Sequence, residues 1–150
     1  MVLEPGDEVP EIRAPNQDGE AVRPDWTGVT VLYFYPKDDT RGCTTEAEQF
    51  QAELESYRDA GVSVYGVSVD GVDSHAAFAE KYGLEFDLLA DPDAEIVDAF
   101  GVETRQGAAV RTTFVVIDGT VQAVYDGVHP DGHAREVLQD LVETGLVTLD

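Results

Sequence analysis

The stretch TVLYFYPKDDTRGC, residues 30–43, decides the fold. It begins with a continuous run of β-branched and aromatic residues, which is typical of a strand covered on both faces, and Pro36 ends that run. From Cys43 as far as Gly61, apolar residues recur at steps of three and four, which predicts a helix. The stretch therefore predicts a central strand, a connecting loop and a helix whose buried face begins at Cys43.

Strands and helices alternate through the rest of the chain. We expect a hairpin of residues 12–14 and 20–23, a strand at 62–69, a helix at 74–82, a strand at 86–89, a helix capped by Asp91 with Pro92 at its first position, a hairpin of 113–117 and 121–125, and a final helix at 132–143. This order predicts an α/β fold with a central mixed sheet flanked by helices and an N-terminal β-hairpin extension. It is compatible with a thioredoxin-like arrangement.

Length and composition predict one domain over residues 1–150, because neither a repeat nor a linker-like shift in composition interrupts the chain. No apolar run approaches the roughly 20 residues that span a bilayer, and the start lacks the basic and apolar regions of a signal peptide. A single cysteine cannot form an internal disulfide. We therefore expect a cytoplasmic protein with no membrane partner.

The net charge is strongly negative, −22 from 9 basic and 31 acidic residues. Such a charge repels nucleic-acid phosphates and anionic membranes, so neither is an expected partner. The acidic residues are spread along the chain, which favours a halophilic protein in a salt-rich cytoplasm. An ordinary acidic protein is the alternative interpretation.

Cys43 lies where a loop from the carboxyl end of a strand enters the first turn of a helix. Free backbone N–H groups and the helix dipole favour a thiolate at that position. Two of the nine basic residues, Lys37 and Arg41, precede it closely. Thr40 is near enough to turn its hydroxyl toward the sulfur. A buried, inert core cysteine is the alternative that position alone leaves open.

The spacing Pro36-x-x-x-Thr40-x-x-Cys43 resembles the active-site motif of the peroxiredoxins, and FYPKDDT at 34–40 resembles their bacterioferritin comigratory protein branch, also called peroxiredoxin Q. Further similar stretches are CTTEA at 43–47, YGL at 82–84, LLADPD at 88–93, RTTFVVID at 111–118 and GHAREVL at 132–138. The similarity covers nearly the whole chain. It implies a thioredoxin fold and a thiol-dependent peroxidase that needs no metal and no organic cofactor.

The resemblance also implies a role for each of several side chains. Cys43 would be the peroxidatic cysteine, which attacks a hydroperoxide and becomes a sulfenic acid. Arg111 would stabilise the thiolate and the developing charge, and Glu46 would orient that arginine. Thr40 would position the peroxide, and Pro36 would shield the sulfur from water. A surface arginine and an exposed first-turn acid are the alternatives for Arg111 and Glu46.

Two positions depart from the branch's pattern. Arg41 stands where the branch usually has proline, and the net effect of that change on the rigidity of the loop and the reactivity of Cys43 is undecided. Glu48 stands where two-cysteine members carry their resolving cysteine. The chain therefore resembles a one-cysteine type whose sulfenic acid is resolved by a thioredoxin-like protein, a small-molecule thiol or Cys43 of another subunit. The sequence does not distinguish a monomer from a weak homodimer.

Two other functions compete with the peroxidase. One is a non-catalytic redox sensor or holdase that uses oxidation of Cys43, and the other is a thiol–disulfide oxidoreductase, which the absence of a Cys-x-x-Cys pair disfavours. Metal binding by His129 and His133 is not expected, since Pro130 and Gly132 break the helix that would align them. We interpret Asp38 and Asp39 as solvated loop residues, Asp91 and Asp93 as loop or capping residues, and Trp26 and the tyrosines of 33–35 as core residues.

Overall fold

A computed structural model describes residues 2–148 of the chain. The strands are β1 (Ala14–Pro15), β2 (Ala21–Val22), β3 (Val29–Phe34), β4 (Val62–Ser68), β5 (Asp87–Ala90), β6 (Thr104–Arg105), β7 (Ala108–Ala109), β8 (Thr112–Ile117) and β9 (Thr120–Asp126). The helices are α1 (Arg41–Asp59), α2 (Val72–Tyr82), α3 (Glu95–Phe100) and α4 (His133–Glu143). Among these four helices, none is both long and apolar enough to cross a membrane.

The central sheet has five strands in the order β5-β4-β3-β8-β9. β3 lies in the middle, parallel to β4 and antiparallel to β8, with Phe34 opposite Val67 on one side and Thr112 on the other. The parallel pairs β3-β4 and β4-β5 need crossover connections, which α1 and α2 supply. The end of β3 is therefore flanked by the end of β4 and the start of β8.

Each face of the sheet carries its own apolar core, because side chains alternate along β3. Tyr33 and Tyr35 pack with residues of α1, α2 and α4, while Leu32 and Phe34 pack with α3 and with Trp26. Both faces of β3 are covered, which explains why its sequence is a continuous apolar run rather than an alternating one. The expected core positions of Trp26 and the 33–35 tyrosines are thus confirmed by their burial.

The predicted mixed sheet, flanking helices and N-terminal hairpin are confirmed, and two local details differ. The hairpin of β6 and β7 was not predicted, since its strands are two residues each and β6 is exposed. The predicted start of the third helix at Pro92 is wrong, because α3 begins at Glu95 after Ala94 adopts a left-handed φ of 57°. The Asp91 carboxylate still accepts from the backbone N–H groups of Ile96 and Val97, at 3.0 and 2.9 Å.

Candidate active site

Cys43 is the third residue of α1, and its side chain is 1% exposed. The residue before the helix, Thr40, has extended backbone angles, so the first turn leaves backbone N–H groups free of helical partners. That first turn contains Arg41 and no acidic residue. The positive end of the helix dipole therefore acts on the sulfur without a nearby first-turn carboxylate to oppose it.

The Arg111 guanidinium lies between the sulfur and a carboxylate. Its Nη2 donates to Cys43 Sγ at 3.3 Å, and its Nη1 donates to Glu46 Oε1 at 3.0 Å. Arg111 reaches this place because it immediately precedes β8, whose first residue pairs with the last residue of β3. The structure therefore brings Arg111 to Cys43 and Glu46, which lie 68 and 65 residues before it in the sequence.

Gly42 makes room for the guanidinium. A Cβ atom built at this position would lie 2.5 Å from Arg111 Nη2, which is closer than any real contact of that kind. Every other residue type would push either the helix or the arginine away from its present position. The sequence analysis missed this requirement, because Gly42 precedes the cysteine without a turn or a positive φ to mark it.

Glu46 is a completely buried carboxyl group on the same helix. Burial raises its pKa to about 7, although the nearby Arg111 charge and hydrogen bond act in the opposite direction. Among the described residues, its second oxygen, Oε2, has no hydrogen-bond partner. The carboxyl group therefore changes its charge near neutral pH, while its other oxygen stays on Arg111.

Tyr33 forms part of the wall around this carboxyl group. Its ring stacks on Phe50 with centroids 4.4 Å apart, and its hydroxyl has no partner among the described residues. Burial raises the Tyr33 pKa well above its usual value, and the charges of Glu46 and Cys43 raise it further. Tyr33 therefore remains a neutral phenol and does not compete with the thiol for a negative charge.

The residues before the helix form the active-site loop, residues 35–40. Pro36 is half-buried, and Thr40 is exposed with its hydroxyl donating to the Lys37 carbonyl oxygen at 2.9 Å. The expectation that this hydroxyl turns toward the sulfur is not what the structure shows. Its lone pairs remain available to accept a hydrogen bond from a ligand. Lys37 and Arg41 are exposed beside it.

Asp38 corrects one prediction. It is buried rather than solvated, and it lies with Asp70 and His75 in a group whose ligand-type atoms are within 4.8 Å of one another. These atoms already take part in hydrogen bonds: the Asp70 carboxylate accepts from the Asp38 backbone N–H and from Ser68, and His75 contacts Asp38. The group is thus a hydrogen-bonded network, and nothing in it points to an ion.

The two histidines considered for metal binding are not equivalent. His133 is buried, with Nε2 2.8 Å from the Thr113 hydroxyl, and burial lowers its pKa while the nearby Glu136 acts against that shift. His129 is exposed. His133 packs against Phe50 and Tyr125 as a core residue.

Comparisons with known proteins agree on one family. The AhpC/TSA family profile matches residues 5–124. The putative peroxiredoxin bcp of Coxiella burnetii is 40% identical over 148 residues, covering 92% of this chain and 98% of that protein.

Solved structures give the same result. The PrxQ of Xylella fastidiosa superposes with a TM-score of 0.91 at 30% identity, over 97% of this chain and 99% of the other. A bacterioferritin comigratory protein of Xanthomonas campestris, studied for alkyl peroxide reduction, superposes with a TM-score of 0.82 at 34% identity, over 89% and 91%. These matches confirm the resemblance drawn from the motif and the thioredoxin-like fold. The chain belongs to the AhpC/TSA family, within its bacterioferritin comigratory protein and peroxiredoxin Q branch, and is a thiol-dependent peroxidase.

Proposed function

We propose that Cys43 is the nucleophile that reduces hydrogen peroxide and small organic hydroperoxides, and that an external thiol then reduces it back. The observation that carries this proposal is the contact of Arg111 Nη2 with the buried Cys43 Sγ, at 3.3 Å. A guanidinium is always charged, and its charge-assisted contact stabilises the anionic sulfur. The alkyl peroxide reduction studied in the Xanthomonas campestris relative supports organic hydroperoxides as substrates.

The reaction moves two electrons from sulfur to the peroxide. The Cys43 thiolate attacks one peroxide oxygen, an S–O bond forms and the O–O bond breaks. The leaving oxygen takes a proton and departs as water or an alcohol, and Cys43 becomes a sulfenic acid. Negative charge passes from the sulfur toward the leaving oxygen during this step. Arg111 adjoins both positions and stabilises the charge throughout.

Three neighbours complete the site in this proposal. Glu46 orients the guanidinium through the 3.0 Å contact with Nη1. Thr40, whose hydroxyl hydrogen is engaged with Lys37, accepts the O–H of the peroxide. Pro36, half-buried at the start of the loop, shields the sulfur from water. No metal and no organic cofactor take part.

The thiol that reduces the sulfenic acid must come from another molecule. The sequence holds one cysteine, and Glu48, where two-cysteine relatives of the branch carry the resolving residue, is exposed. A thioredoxin-like protein or a small-molecule thiol would attack the sulfenic acid, release water and form a mixed disulfide, which a second thiol reduces. The sensor or holdase interpretation is less favoured, because the arginine contact provides the stabilisation that turnover needs.

The free thiol and the exposed surface support a cellular compartment and an oligomeric state. A free thiol persists in a reducing compartment, which supports the cytoplasm. Val2 and Val142 are the large hydrophobic residues that are exposed within residues 2–148. This sparse apolar surface supports a monomer or a weak homodimer, with residues 1–150 as one domain.

Peroxide consumption with excess dithiothreitol in high salt tests the proposal. The wild-type protein should consume many equivalents of hydrogen peroxide per chain, and Cys43→Ser should consume none above background. Consumption that stops at one equivalent would favour the sensor, whereas unchanged consumption by Cys43→Ser would remove the sulfur from the chemistry. Glu48→Cys is a matched addition, since its thiol should attack the Cys43 sulfenic acid, release water and form an internal disulfide that protects Cys43 from overoxidation to sulfinic acid.

A further inference from the structure

A buried group of polar side chains lies behind the active-site loop, and the peroxide chemistry does not use it. We call this group the loop anchor, and its members are Tyr35, Asp38, Ser74 and His75. Tyr35 begins the loop directly after β3, Asp38 lies in the middle of the loop, and the other two residues belong to α2. Both Asp38 and His75 are buried. The loop is therefore tied through its middle to a neighbouring helix.

Both ring nitrogens of His75 have buried partners. Its Nε2 lies 3.1 Å from the Leu89 carbonyl oxygen, which can only accept, so Nε2 carries a proton. Its Nδ1 lies 2.6 Å from Asp38 Oδ2. The Asp38 carboxyl group also accepts the hydroxyls of Tyr35 and Ser74, at 2.7 and 2.8 Å. The ring of His75 therefore bridges the loop carboxyl group and the main chain of β5.

We propose that His75 is a positioning residue for the peroxide reaction, whose buried ring is hydrogen-bonded to Asp38 and thereby holds the active-site loop in place. The proposal rests on the role of Cys43 proposed above. Asp38 stands between Pro36 and Thr40, and consecutive Cα atoms are about 3.8 Å apart. A displacement of Asp38 is therefore passed on to both neighbours and to the helix N-terminus that carries the sulfur.

Additional contacts make this arrangement rigid. The Asp38 backbone N–H donates to the Asp70 carboxylate at 2.8 Å, so both the main chain and the side chain of Asp38 are held. Burial raises the pKa of Tyr35 well above its usual value, and the neighbouring Tyr33 and Asp38 contribute, so Tyr35 remains a donor to Asp38. Asp38 is thus fixed by Tyr35 at the start of the loop, by Asp70 after β4 and by Ser74 and His75 of α2.

The neighbouring pair on the same loop offers a natural comparison. Asp39 binds Lys81 of α2 at 2.9 Å, but the two side chains are 44% and 57% exposed. Exposed pairs are screened by salt and contribute little. If any link between the loop and α2 were enough, the two pairs would matter equally. Our proposal requires that the buried pair dominate.

Nitrogen-15 NMR of the imidazole rings tests the hydrogen bonds of His75. The chain has three histidines, and the His75→Gln variant identifies the signals of His75 by their loss. We expect Nε2 of His75 to carry a proton that is protected from exchange with water in the folded protein, because it donates to the Leu89 carbonyl oxygen. A ring without a proton on Nε2, or one whose proton exchanges freely, would overturn the proposal, because His75 would then not be held between Leu89 and Asp38.

Kinetics test the positioning role. In His75→Gln we expect the second-order rate constant for oxidation of Cys43 by hydrogen peroxide to fall by between about tenfold and a hundredfold. Alkylation of Cys43 by iodoacetamide needs the sulfur but not the peroxide-binding loop, so its rate should fall much less. Equal losses in both rates would indicate a general disturbance of the helix and would overturn the proposal.

Three further variants separate positioning from stability. Lys81→Ala removes the exposed pair from the same loop and should change the peroxide rate by less than about fivefold. Asp91→Ala removes a buried carboxylate that caps α3, so it should lower stability without slowing the peroxide step. Asp38→Asn with His75→Gln replaces both partners of the buried contact, and its rate loss should be smaller than the product of the single losses. A simple product, or an equal loss in Lys81→Ala, would contradict the proposal.

The two proposals fail in different ways. If Cys43→Ser keeps peroxidase turnover, the proposed function is wrong whatever His75 does. If Cys43→Ser is inactive and His75→Gln keeps the wild-type peroxide rate while circular dichroism shows it folded, only the role of His75 is wrong.

Discussion

Replacing Glu46 with glutamine should make the protein's stability less sensitive to pH. The substitution keeps the size of the side chain and an oxygen that accepts from Arg111, and it removes the titrating carboxyl group. In the native chain this group is completely buried, and its pKa is raised to about 7 from an unfolded value of 4.5. The perturbation therefore isolates the cost of placing a negative charge at this site.

The sign and size follow from proton linkage. Between the two pKa values the folded chain holds a proton that the unfolded chain has lost, so raising the pH through this window lowers the free energy of unfolding. A rise from 4.5 to about 7 corresponds to about 3 kcal/mol at about 1.36 kcal/mol per pKa unit. This stability is present below pH 4.5, is lost as the pH rises to about 7, and stays lost above it. The lowering effect of Arg111 is already included.

Urea unfolding at constant high salt measures the effect. Wild type and Glu46→Gln are compared from about pH 5 to about pH 8, and the difference in free energy of unfolding removes the contribution of all shared carboxylates. The free energy of unfolding of the variant, relative to that of wild type, should rise with pH over this range by most of about 3 kcal/mol. Glu48→Gln, an exposed change on the same helix, is the control and should give a flat difference. A flat difference for Glu46→Gln would refute the argument from burial.

The remaining predictions concern the arginine, the glycine beneath it and the surface charge. Arg111→Met should slow the reaction of Cys43 with peroxide by about a hundredfold to a thousandfold in stopped-flow measurements, and an unchanged rate would remove Arg111 from the site. Gly42→Ala should also slow that reaction while circular dichroism remains native. The added methyl carbon would lie 2.5 Å from Arg111 Nη2, so the guanidinium must move away from the sulfur. Transfer from about 1 M to about 0.01 M salt lengthens the Debye length from about 3 to about 30 Å, so with a net charge of −22 the fold should loosen. Circular dichroism that stays constant across that range would contradict the halophilic interpretation.

The elements nearest the site could be predicted because their signals are local. The apolar run of residues 30–35 and the helical spacing after Cys43 predict β3 and α1, and both form within two residues of the expected bounds. The start of α3 could not be predicted in this way. Asp91 followed by Pro92 is a strong helix signal, but the left-handed Ala94 delays the helix and Asp91 caps it from farther upstream.

The site itself could be predicted only in part. Cys43 stands out by its loop and helix position, whereas Arg111, 68 residues away, was identified through the family resemblance alone. Nothing in a local pattern reports that Gly42 lies under a guanidinium. Asp38 was interpreted as a solvated loop residue and His75 was not singled out, since their pairing depends on how α2 packs beside the end of β3.

Two buried pairs at the active site show how an acidic protein can keep a defined site in salt. Glu46 is joined to the Arg111 guanidinium, and Asp38 is joined to a ring nitrogen of His75. Buried pairs add little net stability, because desolvation offsets most of their attraction. Their contribution is geometric, since one fixes the guanidinium and the other fixes the loop.

Exposed pairs could not serve in the same way. Salt screens them within a few ångströms at molar concentrations, as it would screen Lys81 with Asp39. Mobile ions do not enter the packed core around Glu46 and His75, so their partners feel the full local field. In this strongly acidic protein the pairs that hold the arginine and the loop are the buried ones, which are the pairs that salt screens least.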